Sequence, residues 1–438
     1  MAGERGARLP GVSSPTPSTP PAGATADVAV RWATAEDAAA VRVLDGRAFG
    51  FTWEDADAAL LEGVIEPERF VVAEETGDHG LPAHDALVGA AGSCSFTMTA
   101  PGGARLPVPG VTWVAVALHQ RRRGLLRRML GELHTRLVAE GAPLAVLTAS
   151  EATIYGRYGY GAATTERTAR VDRRRARLTP AAEALAGPQV ARHARPATAR
   201  RHLADVHERW CAQTPGALTR TSGWWDQLLA DTPGQRSGAT ELFALVHPDG
   251  YATYRLQDGR ARTSELVSTT PSAHASLWRS LLALDLVDEI TTGRGTPLDD
   301  ALPHLLTDAR AVETTAVADG VWVRLLDVPA ALAARTYSCE VDVVLDVVDQ
   351  PGGAGLPGVD ASARVRLRGG PDGAECTRTD TPADVRLGVA ALGATYLGGT
   401  RLAPLARAGL VEAERPELLA RLGTALLGER EPQLGTGF

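Results

Sequence analysis

The stretch "VAVALHQRRRGLLRRML", residues 114–130, sets the reading of this chain. It opens on the end of an apolar run, "VTWVAVAL" (111–118), that reads as a buried strand. From Gly124 to Gly141 the pattern changes, and "GLLRRMLGELHTRLVAEG" places its apolar residues at helical spacing. Between the two lie Arg121, Arg122 and Arg123. A helix start offers unpaired backbone N–H groups and a partial positive charge. Gly124 lets the backbone approach a ligand closely, and arginine adds fixed charge and forked hydrogen bonds. Strand, basic turn and helix together make a pyrophosphate cradle. Three arginines and a glycine alone are more often a solvated turn; the flanking elements shift the balance toward a phosphate site.

Outward from this stretch the pattern is mixed α/β. "DVAVRW" (27–32) alternates like a strand. Thr34 with Asp37 three residues later resembles a capping box at the start of a helix. "WEDADAALLEGV" reads as a second helix, "RFVVAEE" and "ALVGAAGSCSFTMTA" as strands, and "PLAVLTAS" as another buried strand, followed by "EATIYGRYGYG". This first unit spans 27–172. A second, 173–325, follows an Arg-rich, Pro-bearing stretch and repeats a similar order of elements. A third, 326–438, opens near "LLDVPAALAAR". Its strands "CEVDVVLDVV" and "SARVRLRG" precede helices that include "PADVRLGVAAL" and "ERPELLARLGTALLG". Residues 1–26, rich in Pro, Ser, Gly and Ala, read as a disordered tail without the apolar core of a secretory signal.

Composition narrows the function. With 44% hydrophobic and 22% charged residues the chain is globular, and its 438 residues call for two or three domains. No apolar stretch reaches membrane-spanning length. The net charge of −7 argues against a dedicated nucleic-acid binder. The sequence contains no lysine, so all 45 basic residues are arginine; lysine Schiff-base chemistry and a Walker A loop are excluded. Cys94, Cys211, Cys339 and Cys376 are too far apart for a zinc or disulfide framework, which favours a reducing cytoplasm and no metal. "GAGLPG" (353–358) fits a dinucleotide-binding pattern, but Pro357 and the strand-like sequence after it make it a loop.

The motif at 114–130 resembles the acetyl-CoA signature of the GCN5-related N-acetyltransferases (GNAT). Leu126 departs from the general pattern and matches the enhanced intracellular survival (Eis) branch of actinobacteria. "ASEATIYGRYGYG" (149–161), "GVWVRLLDVPAALAAR" and the terminal Phe resemble that branch in the same order. The resemblance implies an α/β (α+β) chain of two tandem GNAT-like mixed-sheet domains followed by a sterol-carrier-protein-like α+β domain. It also implies a homohexamer that acetylates small polycationic amines, aminoglycosides among them, with acetyl-CoA as cosubstrate.

The resemblance further implies roles for individual residues. The backbone of Val114, Ala115 and Val116 would hold the thioester and the pantetheine arm. Arg122, Arg123, Gly124, Leu125, Leu126 and Arg127 would cradle the pyrophosphate, and Ser150 and Glu151 would contact the cofactor. Tyr155 would be the general acid toward the CoA thiolate. Spacing alone leaves Tyr155, Tyr158 and Tyr160 open as core or turn aromatics. The carboxylate of Phe438 would be the base. A free α-carboxyl has a pKa of about 3.5, which desolvation would raise. Family members that modify aminoglycosides often carry an acid before the terminal Phe; here it is Gly437. Trp53, Glu54 and Asp57 could line the acceptor pocket or equally be an exposed face. The rival reading is a lipid carrier with a vestigial acetyltransferase domain.

Overall fold

The computed structural model describes residues 28–76, 86–293, 295–349 and 355–438. The expected tail at 1–26 and the first two residues of "GAGLPG" lie outside them. The chain begins with β1 (Val28–Trp32), α1 (Ala38–Phe49), α2 (Asp55–Leu61), β2 (Phe70–Glu75), β3 (Leu87–Thr99) and β4 (Arg105–Val116). It continues with α3 (Leu125–Ala139), β5 (Leu144–Thr148), the turn α4 (Ala152–Tyr155) and β6 (Gly161–Ala162). The capping box is present, with the Thr34 amide donating to Asp37 at 2.8 Å. A short 3-10 turn, Ala35–Asp37, intervenes before α1.

The middle of the chain forms β7 (Thr165–Asp172), α5 (Pro180–Ala186), β8 (Arg192–Ala194), α6 (Pro196–Gln213), α7 (Ser222–Leu229) and α8 (Pro233–Arg236). Then come β9 (Phe243–His247), β10 (Gly250–Gln257), β11 (Arg260–Ser268), α9 (Pro271–Leu282), β12 (Glu289–Thr291), α10 (Leu302–Leu305), β13 (Val312–Asp319) and β14 (Val321–Leu325). The last part holds α11 (Val328–Ala333), β15 (Val341–Val348), β16 (Ala363–Gly370), β17 (Gly373–Arg378), β18 (Val385–Gly388), α12 (Val389–Tyr396), α13 (Leu402–Arg407), β19 (Val411–Ala413) and α14 (Pro416–Leu426).

Three sheets result, ordered β1-β2-β3-β4-β5-β14-β6, β13-β7-β12-β11-β10-β9-β8 and β17-β16-β15-β18-β19. The first two exchange strands. β7 follows the first sheet in sequence yet pairs with β12 and β13 in the second. β14 follows the second sheet and returns to the first, antiparallel to β5 and β6. The third sheet shares a core with the first: Phe96, Val146 and Val323 belong to one buried cluster with Val343, Leu387 and Leu392. That continuity carries the C-terminal segment to the first sheet.

Two elements differ from the sequence reading. "PADVRLGVAAL" was expected to be one helix, but Val385 and Leu387 are buried and Arg386 exposed, an alternation that forms β18 parallel to β15. Extended backbone at Gly388 (φ −74°, ψ 152°) then starts α12. β4 begins at Arg105 rather than at residue 111. The half of β4 that holds Pro107 and Pro109 pairs with β3 and has no β5 partner before Gly110, a position where a strand tolerates proline.

Candidate active site

β4 and β5 run parallel but pair only at Gly110↔Val146 and Val111↔Leu147. Beyond these pairs β4 continues to Val116 while β5 ends at Thr148, so the strands part and leave a cleft at their C-terminal ends. Between Thr112↔Gly92 and Ala115↔Ala90, β4 carries two residues, Trp113 and Val114, opposite the single Ala91. Trp113 sits at φ 52°, a costly conformation for a bulky residue. The bulge kinks β4 where it separates from β5. Val114, Ala115 and Val116 line the free flank of β4, which an extended ligand can pair with as an added strand would. The Val116 carbonyl also accepts from Arg121 Nε at 3.3 Å.

The basic turn follows. Arg122 (φ 65°) and Gly124 (φ 81°) both adopt left-handed backbone, and Gly124 caps α3. A side chain at Gly124 would meet no atom within 4 Å, so open space faces the helix start. Leu125 is buried beneath it and Leu126 half-buried. Arg122 is exposed and, among the described residues, makes no side-chain hydrogen bond or ion pair. Arg123 is held by Gln120, which bonds to Glu75. Arg127 donates to the Gly355 carbonyl at 2.8 Å, tying α3 to the third domain. A left-handed glycine, a helix N-terminus and an unpaired arginine fit a pyrophosphate. Ser150 and Glu151 are exposed just past β5, with Glu151 at the N-cap of α4.

The three tyrosines separate here. His134 Nδ1 lies 2.7 Å from the Leu130 carbonyl and Nε2 2.7 Å from the Tyr160 hydroxyl. Burial holds the His134 imidazole neutral, with its pKa lowered to about 3. Nδ1 must then carry the proton, and Tyr160 donates to Nε2. Tyr160 is thereby committed. The Tyr158 carbonyl accepts from Arg324 at 2.7 Å, and Arg324 forms a buried ion pair with Asp349 at 2.6 Å. The Tyr155 hydroxyl makes no hydrogen bond among the described residues. Burial first, then Tyr158 and Glu151, push its pKa up to about 12.

The chain terminus lies at the same cleft. Thr148 Oγ1 donates to a Phe438 carboxylate oxygen at 3.3 Å. The Phe438 ring packs on Phe96 with centroids 5.0 Å apart, and Phe96 on Trp224 at 5.6 Å. A Cβ on Gly110 would stand 2.7 Å from both the Phe438 and Phe96 rings. The tail is fixed by Arg220, which bonds to the Gly435 carbonyl, to Thr436 Oγ1 at 3.1 Å and to Glu265. Thr436 in turn donates to the Leu218 carbonyl at 3.1 Å.

Trp53 and Glu54 precede α2 rather than lying on it, and Asp57 is within it. Trp53 stacks on Trp113 at 5.4 Å, beside the cleft. Asp57 accepts from Thr232 at 2.7 Å, a bond between the first and second domains. Sequence reasoning did not single out Gly110, Trp113, Thr148 or Arg220. Only Trp113, inside the apolar run before the arginines, carried a local signal.

Residues 29–163 and 216–325 each match an acetyltransferase (GNAT) domain, and 328–435 match a sterol carrier protein domain. The N-acetyltransferase Eis of Mycobacterium tuberculosis is 42% identical over 360 residues, covering 80% of this chain and 86% of that one. An uncharacterised N-acetyltransferase of Streptomyces coelicolor is 38% identical over 409 residues, 90% of this chain and 95% of that one. The crystal structure of Eis1 from Mycobacterium abscessus superposes with a TM-score of 0.78 at 33% identity, covering 94% of this chain and all of that one. With the cleft between β4 and β5 and the three-sheet architecture, these similarities establish that the chain belongs to the Eis family of N-acetyltransferases.

Proposed function

We propose that this N-acetyltransferase moves the acetyl group of acetyl-CoA directly onto a primary amine of a small molecule, with Phe438 as base and Tyr155 as acid. The observation that carries the reading is the position of the Phe438 carboxylate, beside Thr148 where β5 parts from β4. Acetyl-CoA supplies the thioester; the free flank of Val114–Val116 offers backbone donors to its carbonyl, and Arg122, Arg123, Gly124, Leu125, Leu126 and Arg127 hold the phosphates. Ser150 and Glu151 border the same ligand.

The Phe438 carboxylate takes the proton that the acceptor ammonium must lose before it attacks. Packing on Phe96 and the hydrogen bond from Thr148 fix its direction. Tyr155, with a pKa near 12, keeps its proton at neutral pH and gives it to the departing thiolate. The family resemblance supplies polycationic amines of the aminoglycoside type as candidate acceptors, entering past Trp53 and Trp113. The test is CoA thiol release from acetyl-CoA with aminoglycosides, linear polyamines and simple monoamines. Release that requires an amine supports the reading. Bound acetyl-CoA with no release for any amine contradicts it.

A further inference from the structure

A cavity of about 560 Å³ opens directly beyond the terminus, with Thr436 and Gly437 forming one wall and Trp224 another. It lies between the tail and the second sheet and is large enough for a small polar molecule. Its far wall is basic. Arg255 on β10 and Arg262 on β11 are direct cross-strand partners and both line the cavity. Like charges placed opposite each other on a sheet face repel, so the arrangement costs stability unless an anion relieves it.

The neutralisation within the wall is incomplete. Arg220 is spent on Glu265 and the tail. Arg236 and Arg255 share a single carboxylate, Asp231, which Arg236 meets at 3.0 Å. Arg262 is exposed to the cavity mouth and, among the described residues, makes no ion pair or side-chain hydrogen bond. The wall therefore carries two uncompensated positive charges. The pairing of β10 and β11 is also irregular here: Thr253 faces Glu265 while Tyr254 faces Thr263, which leaves Ser264 as an extra residue. Ser264 and Gln257 line the cavity as well and add neutral hydrogen-bonding groups. At the opposite end Gly437 contributes no carboxylate that would attract a second ammonium.

We infer that the preferred acceptor is an amine that also bears an anionic group, a carboxylate or phosphate, with the amine at Phe438 and the anion between Arg255 and Arg262. The inference rests on acetyl transfer to a small-molecule amine at Phe438 and, among such amines, favours those with an anionic end over the polycations that the family resemblance supplies. Arginine pairs suit both anions through forked, charge-assisted hydrogen bonds. A polycation entering the same cavity meets this net positive charge, including the unpaired Arg262.

The experiment compares kcat/KM for matched acceptors: phosphoethanolamine against ethanolamine, β-alanine against β-alaninamide, and glucosamine phosphate against glucosamine. An aminoglycoside is run beside them. The expected result is a preference of about tenfold for the anionic member of each pair, the size of one or two charge-assisted contacts. R262Q, and separately R255Q, should shrink that preference by lowering kcat/KM for the anionic member. Preference for phosphate over carboxylate, or the reverse, identifies the anion. Equal or better use of the neutral amines, or of the aminoglycoside, by the unaltered protein overturns the anionic acceptor while leaving acetyl transfer intact. Thiol release with no amine overturns both.

Discussion

Thr148 and Phe438, 290 residues apart in sequence, meet through a hydrogen bond of 3.3 Å at the end of β5. Two long-range features bring them together. β14 returns from the second sheet to pair with β5, and the third domain packs on that strand through a shared core. The terminus is thus held by the whole architecture, and the account makes its position the source of the base.

Arg220 is the clamp on that tail. Its side chain is nearly inaccessible (4%), and its guanidinium stacks over Trp225 at 4.8 Å and bonds to Glu265, Gly435 and Thr436. Arg220→Ala should lower kcat by about a hundredfold, because a displaced base misses the reacting geometry. It should also cost about 3 kcal/mol of stability by leaving Glu265 without its partner. Steady-state kinetics and thermal melting test both; unchanged kcat in a folded variant would show that the tail needs no clamp.

Tyr155→Phe should reduce kcat by about a hundredfold or more, within the range of general acid catalysis, with little change in the KM for acetyl-CoA. Because burial raises the phenol pKa to about 12, loss of this proton should not produce a falling limb in the wild-type pH profile until well above pH 10. A limb near pH 8 that disappears in Tyr155→Phe would contradict the raised pKa, and an unchanged kcat in the folded Tyr155→Phe variant would contradict the assignment as acid. Tyr158→Phe is the control, since the bond from Arg324 to Tyr158 uses its carbonyl rather than its hydroxyl.

Gly124 tests the phosphate cradle. At φ 81° any side chain strains the backbone although nothing blocks it. Gly124→Val should cost about 1–2 kcal/mol locally, which corresponds to a KM for acetyl-CoA raised by about tenfold. Equilibrium binding of CoA checks this. Unaltered affinity would place the phosphates elsewhere.

Asp45 gives a separate test of the acceptor side of the first domain. It is buried (5% exposed) on α1, and desolvation raises its pKa to about 6, with the Trp53 indole opposing the rise. A carboxyl whose pKa is raised on folding contributes stability below its unfolded value near 4 and loses it as pH climbs through about 6. Asp45→Asn should therefore raise the melting temperature at pH 8, by about 2 kcal/mol in stability, and have little effect near pH 4. A pH-independent difference would refute the burial argument.

The arginine turn was legible because its signal is local: an apolar strand, a glycine and an amphipathic run are adjacent in sequence. The same holds for the helices from Pro196–Gln213 and Pro416–Leu426. What escaped was non-local. Nothing in "TERTARVD" or "VWVRL" says which sheet each will join, because strand alternation fixes the buried face and not the neighbour. β18 was hidden because four alternating residues run straight into an apolar helix. Arg220, Thr148 and Gly110 matter only through contacts with the terminus, so their types carried no signal. Trp113 stood inside a strand pattern, and its left-handed backbone cannot be read from an apolar run.

The most direct test concerns Phe438. CoA thiol release with the best amine acceptor is measured for the native protein, for a variant lacking Phe438, and for one with a short Gly-Ser extension that converts the terminal carboxylate into an amide. The account predicts that both variants fold, bind acetyl-CoA with unchanged affinity and lose at least about a hundredfold in kcat. Full turnover in the extended protein would contradict the carboxylate as the base.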